Sequence, residues 1–285
     1  MIKAIISLES TCDLDKELIN KYNLKIIDMS FSIGTDDYST DLDDVNSTCL
    51  YERMRKGERT STSSINTERY KLFFGELLKE KLPIIHLSFS SGLSNTYESA
   101  LKAKEEILKR KKDAEIYVID SLCACGGQGV LGILSRIKCD EVNEVYELID
   151  YIENIKHNLN HIFSVDNLKY LTNGGRLKRS TQIIGSLLNI KPVMRMNSKG
   201  ELVVKQMVVS RKKALKTMIE NYNDKKDDKY DICLISHADC MNDAKYIEKE
   251  LIGIGLRPII TSLGPIIGSH SGPGTISLYF IGNGR

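Results

Sequence analysis

Short, continuously apolar runs alternate with helix-patterned segments through the first half of the chain, and this alternation limits the fold more than any single motif does. IKAIISL, LKIIDMSFSI, PIIHLSF and EIYVID read as strands. Between them, the segment from Asn66 to Glu80 and LSNTYESALKAKEEILK carry helical periodicity. The second has an apolar stripe on Leu93, Tyr97, Ala100, Leu101, Ile107 and Leu108. STCD (Ser10–Asp13) has capping-box spacing ahead of DKELINKYN. Strands that are apolar throughout and separated by helices predict a parallel sheet covered on both faces. The second half is patterned differently. HIFSV, KPVMRM and GELVVKQMVV are strands, the last two joined by an NSKG turn, and YDICLIS, LRPIITSL and TISLYFI follow with helices between them. The expectation is an α/β chain of two domains: residues 1–157 around a parallel sheet, and residues 158–285 around a mixed sheet.

Forty basic and 38 acidic side chains leave a net charge of +2. That balance gives no global field for nucleic acid, so any basic function must be local. The N-terminal apolar run breaks at Glu9, too early for a signal peptide or a membrane span. Seven cysteines without CxxC spacing, of which Cys123 and Cys125 are the closest pair, argue for a reduced cytoplasmic protein with no metal site.

Several motifs carry candidate chemistry. GQGVLG (Gly127–Gly132) matches the dinucleotide fingerprint, but six residues separate it from Asp120 at the strand end, and the segment after it is helical. Close passage of a helix past another backbone or a ligand explains these small residues better. GLSNT (Gly92–Thr96) sits at a strand-to-helix turn and lacks only the second Gly of a nucleophile elbow. Ser94, a carboxylate such as Asp239, and His270 follow the chain order of a serine hydrolase triad, so a hydrolase using Ser94 and His270 is one reading. Ser94 or Asn95 as a plain helix cap is another, and an anion site at the helix N-terminus is a third. In SRKKALKTMIENY, Ser210 is a plausible cap. Arg211, Lys212 and Lys213 fill the first turn, where cations oppose the helix macrodipole unless an anion compensates them. GGRLKR (Gly174–Arg179) is a second basic cluster. GPIIGSHSGPG (Gly264–Gly274) places His270 in what reads as a Gly/Pro loop.

Taken in order, ESTCDL, TSTSS, SSGLSNTYESA, IDS, LKYLTNGGRL, GSLLNIKPV, SRKKA and GPIIGSHSGPG resemble the DegV family over essentially the whole chain. Characterised members of that family are the fatty-acid-binding subunits of bacterial fatty acid kinase. The resemblance implies a two-domain α/β fold with a long-chain fatty acid lying between the domains. It implies a carboxylate held by Thr60, Ser94 and His270, with Arg176 and Arg211 near the head-group opening where a kinase docks. It further implies a carrier without cofactor or catalytic residues of its own. Its partners would be a fatty acid kinase catalytic protein and an acyltransferase of phospholipid synthesis, with transient membrane contact. Three departures stand out. Thr62 and Ser63 replace the usual Gln-Pro, which is expected to loosen that loop. Glu9 replaces an Asp expected to orient the head-group loop, and Ser210 stands where Arg-Thr is common.

Overall fold

In the computed structural model, which describes residues 2–39, 47–177 and 189–285, the described strands form three sheets. In chain order they are β1 (Ile5–Glu9), β2 (Lys25–Ile27), β3 (Ser30–Ile33), β4 (Asp36–Ser39), β5 (Thr60–Ser63), β6 (Ile84–Ser88) and β7 (Ile116–Asp120). The second half contributes β8 (Leu159–Ser164), β9 (Ile190–Met196), β10 (Leu202–Val209), β11 (Cys233–His237), β12 (Ile259–Ser262) and β13 (Ile276–Ile281). The first sheet has the order β2-β1-β6-β7, with every pair parallel. Its central strands β1 and β6 are buried at every residue, as their unbroken apolar runs require. The second sheet, β10-β9-β8-β13-β11-β12, is antiparallel except for the β11–β12 pair, and is therefore mixed.

Two segments differ from the sequence reading. LKIIDMSFSI is two strands in two sheets: β2 joins the parallel sheet, and β3 sits between β4 and β5 in a small antiparallel sheet. The break falls at Asp28–Met29, where the Met29 N–H donates to Ser10 Oγ at 3.0 Å instead of to a ladder. TSTSS, expected to be a loosened loop, is strand β5, and its pairing with β3 (Ser30 opposite Ser63, Ile33 opposite Thr60) supplies the rigidity that a proline would have given. STCD does not cap the first helix. Ser10–Cys12 make one 3-10 turn ending at Asp13 (φ 49°), and Asp15 caps the helix Lys16–Lys21 by accepting the Leu18 N–H at 2.8 Å.

Alternation along the second sheet gives it two different faces. Ile162, Val193, Ile276, Leu278 and Phe280 pack with the helices Arg211–Lys225 and Met241–Ile252. Their neighbours His161, Phe163, Met194, Met196, Ser277 and Tyr279 point the other way. The helix Gly126–Cys139, buried throughout its first ten residues, lies between the two sheets and contacts β1, β8, β11 and β13. The GQGVLG glycines make this possible, because a Cβ at Gly127 would collide with the His161 imidazole. Leu159, Leu234, Tyr279 and Ile281 thereby join the same apolar cluster as the first sheet.

Gly127→Ala separates the two effects. Helix propensity alone favours Ala by about 0.5–1 kcal/mol, whereas overpacking against His161 costs about 1–3 kcal/mol. We expect a net loss of stability in denaturant unfolding, read as a lower midpoint with an unchanged slope.

Candidate functional site

The stretch that reads as a Gly/Pro loop is a helix, Pro265–Ser271, with Pro at its first position and Gly272 (φ 82°) ending it. Residues distant in sequence hold it at several points. Tyr51 Oη donates to the Leu263 carbonyl at 2.9 Å, and its ring lies so close to Gly268 that no Cβ fits there. Thr60 Oγ1 donates to the Ser269 carbonyl at 3.0 Å. After the helix, Arg211 Nη2 donates to the Gly274 carbonyl at 2.6 Å. The result is a fixed position for His270, whose Nε2 lies 2.7 Å from Thr62 Oγ1.

Ser94 reaches the same region through a differently built loop. Glu9, fully buried at the end of β1, accepts the Phe89 N–H at 2.9 Å, and Asp120 at the end of β7 accepts the Ser91 N–H and hydroxyl at 3.2 and 2.5 Å. Ser90 Oγ donates to the carbonyl of Gly200 at 2.8 Å, so the β9–β10 hairpin turn rests on this loop. Arg176 completes the junction, with Nε donating to the Leu93 carbonyl at 3.3 Å and Nη1 to the Gly174 carbonyl at 2.5 Å. Gly174 lies flush against the His270 ring, where a Cβ would strike Nδ1. The GGR motif is thus a spacer that lets arginine and histidine share one wall.

Behind these groups lies a cavity lined by residues of both sheets. Its partly exposed end carries Thr62, Ser94, Arg176 and His270; its interior is built from buried Met29, Phe89, Phe163, Leu171, Met196 and Ile266. Burial and then the Arg176 cation push the His270 imidazolium down to about 4, so the ring is neutral at neutral pH. An arriving anion would offset both effects and favour its protonation. Burial also lowers the Arg176 pKa, leaving a cation that lacks a carboxylate partner among the described residues. A largely apolar chamber whose partly exposed end carries a cation and hydroxyl donors suits an amphiphile with an anionic head.

Of the residues singled out from sequence, Ser94, Arg176 and His270 line this cavity, while Thr60 and Arg211 do not. Thr60 anchors the His270 helix, and Thr62, two residues on and on the same strand face, meets the ring. Arg211 is bound to Asp243 at 2.8–2.9 Å, which supplies the compensating anion that the first-turn cations of its helix seemed to lack. The triad arrangement is not assembled: the Ser94 hydroxyl pairs with Thr96 Oγ1 at 2.6 Å, His270 with Thr62, and Asp239 with Arg55. Ser94 Oγ also accepts the Thr96 N–H at 3.3 Å, so part of its work is helix capping. Sequence reasoning missed Thr62, Asp120 and Ser271. Ser271 lines the cavity beside His270, its Oγ buried and without a hydrogen-bond partner among the described residues. Strand alternation from Thr60 was the available signal for Thr62. Lys178, Arg179 and residues 185–188 of GSLLNIKPV lie outside the described residues.

With this geometry established, comparison with known proteins is informative. Residues 3–283 match the family described as uncharacterised protein, DegV family. The chain belongs to the DegV family. A DegV domain-containing protein of Clostridium perfringens is 33% identical, the match covering 99% of both chains. A Streptococcus pyogenes relative is 31% identical over 97% of both. Among solved structures, a Thermus thermophilus DegV protein described by its fatty acid binding superposes with a TM-score of 0.87 at 22% identity, covering 99% of this chain and 100% of that one. A stearic-acid-binding protein of Eubacterium ventriosum superposes with a TM-score of 0.86 at 23% identity, covering 99% and 98%. The shared α/β fold, with its parallel and mixed sheets, is that of the DegV family. No helix among the described residues is long and apolar enough to cross a membrane.

Glu9 provides a test of how the Ser94 loop is held. Burial raises its pKa, but the His86 charge and hydrogen bonds from His86, Tyr70 and Ser88 outweigh burial and hold it at about 2, against 4.5 for a free glutamate side chain. A folded-state pKa below the unfolded one contributes stability that is complete above about 4.5 and lost as pH falls toward 2, on the order of 3 kcal/mol in all. Unfolding free energies at pH 5 and pH 2.5 should therefore fall more in the native protein than in Glu9→Gln, which has no such proton to take up.

Proposed function

We propose that this protein holds a long-chain fatty acid in the cavity between its two sheets and presents the carboxylate to a partner fatty acid kinase, which forms the acyl phosphate. The observation that carries this reading is the cavity itself: largely apolar buried walls behind a partly exposed end bearing Ser94, Arg176 and His270. The fatty acids named for its structural relatives support it. Burying each methylene is worth about 0.8 kcal/mol, so roughly 14 of them give a gross ~11 kcal/mol. A charge-assisted hydrogen bond to the carboxylate adds ~1.5–3 kcal/mol before desolvation. The tail supplies most of the affinity, and the head-group residues decide which end faces outward.

In this reading Ser94 and the Thr62–His270 pair receive the carboxylate, Thr60 fixes the helix bearing His270, and Arg176 is the head-group cation. Arg211 acts at the opening through the Gly274 carbonyl it holds, with the exposed Lys212 and Lys213 beside it facing a partner. The two sheets stand for two domains, 1–157 and 158–285, with the ligand between them. The protein is a cytoplasmic carrier and not an enzyme by itself, and the acyl phosphate passes to an acyltransferase of phospholipid synthesis.

Native mass spectrometry of the purified protein should reveal a bound long-chain fatty acid; protein that is empty and stays empty when fatty acid is added contradicts the reading. Ser94→Ala should weaken binding by about tenfold, the effect of one charge-assisted bond. Arg211→Ala should retain bound acid yet slow acyl phosphate formation with the cognate kinase by about tenfold or more. Equal loss of binding and phosphorylation in Arg211→Ala would place that arginine's effect on the ligand instead of the partner.

A further inference from the structure

The cavity has a floor as well as a mouth. It follows the chain through Thr275, Ser277 and Tyr279, the last two on the inner face of β13. Thr275 stands at the His270 end, its hydroxyl donating to the Ser271 carbonyl at 3.1 Å. Tyr279 stands further in, directly opposite His161 of β8, with the two rings edge to face at 5.3 Å. Both rings line the cavity. The next pair on that face, Ile281 and Leu159, belongs instead to the apolar cluster shared with the first sheet.

The start of the helix Gly126–Cys139 closes this row. A Cβ at Gly126 would strike the Tyr279 ring and one at Gly127 the His161 ring, so the helix backbone rests on both. Hydrogen bonds hold the rings there. The Tyr279 hydroxyl donates to the Cys125 sulfur, whose own thiol donates to Asp13 at 2.9 Å, and the Ala124 N–H donates to His161 Nε2 at 3.2 Å. Toward the first sheet the cavity is backed by Thr11, whose hydroxyl donates to the buried Gln128 at 2.8 Å. A ring packed in this way does not yield to a methyl group pressing on it without the cost of overpacking.

The depth of the cavity follows from the strand. At about 3.3 Å per residue, the Tyr279 row lies ~13 Å beyond Thr275. An extended acyl chain built of bonds of about 1.5 Å advances roughly 1.3 Å per carbon, so about ten carbons fill that span. The carbons next to the carboxylate occupy the stretch between Thr275 and Ser94.

Resting on the fatty-acid reading above, we propose that Tyr279 is the chain-length determinant of this protein: its ring ends the cavity, and the ligand class is a fatty acid of about 14 to 16 carbons. Longer chains place their last carbons against the ring and gain nothing from them.

The test is a series of dissociation constants for the full-length, delipidated protein with the even-numbered saturated acids from decanoic to icosanoic. Each added methylene that is buried should tighten binding by about fourfold. Beyond tetradecanoic or hexadecanoic acid that gain should vanish or reverse. Tyr279→Leu should move the break to acids longer by two carbons or more, whereas Tyr279→Phe, which keeps the ring and loses only the bond to Cys125, should leave it in place. Affinity that climbs steadily through icosanoic acid in the native protein overturns the proposal, and this holds even if Tyr279→Leu does not fold. A break that stays where it was in folded Tyr279→Leu overturns it as well. Those two results leave fatty acid binding itself standing. If no acid of any length binds the native protein, the fatty-acid reading fails, and the proposal with it.

Discussion

A carboxylate sealed from water at the end of the first strand governs how the site is built. Glu9 accepts five hydrogen bonds, from Tyr70, His86, Ser88, the Phe89 N–H and Gln128, and these donors come from a helix, the neighbouring strand β6 and the helix between the sheets. A buried charge with fewer partners would be costly, so the donors must converge, and their convergence fixes the elements that carry them. Phe89 is the residue at which β6 gives way to the Ser90–Ser94 loop, so the restraint passes directly to the cavity. The same Gln128 accepts from Thr11, which lines the cavity. The network thus ties the parallel sheet, the interposed helix and the Ser94 loop into one unit.

On the other side, His270 is positioned by contacts running from the first part of the chain into the second. Tyr51 and Thr60 hold the carbonyls of Leu263 and Ser269, and Arg211 holds that of Gly274. Backbone carbonyls held this way leave the His270 ring free to face the chamber while its helix cannot slide. The two walls meet through Arg176, which touches the Leu93 carbonyl of one wall while its Gly174 neighbour abuts His270 of the other. A head group placed there would meet residues whose chain positions span nearly the whole protein, and a tail behind it would meet side chains of both sheets.

Much of this was legible in the sequence, and for definite reasons. The unbroken apolar runs of β1 and β6 could only be strands buried on both faces, and the switch to hairpin-joined strands after residue 158 announced a mixed sheet. Ser94, Arg176 and His270 stood in motifs dense in glycine, where close packing was to be expected. What was hidden depended on tertiary partners. The helix Pro265–Ser271 reads as a loop because two of its seven residues are Pro or Gly; it is held by Tyr51 and Thr60, some two hundred positions away. Arg211 looked like an uncompensated cation because Asp243 is distant in sequence. Thr60 and Thr62 differ only in strand register, and local sequence does not say which faces the ring.

The central claim is directional: the carboxylate lies at Ser94, Arg176 and His270, and the chain runs inward between the sheets. A crystal structure of the protein with a fatty acid brominated at its terminal carbon tests this directly. The anomalous signal of bromine should fall in the interior, among residues such as Phe163, Met196 and Tyr279. A bromine peak beside His270 and Arg176 would mean that the chain lies the other way round and that the polar end of the cavity does not receive the carboxylate.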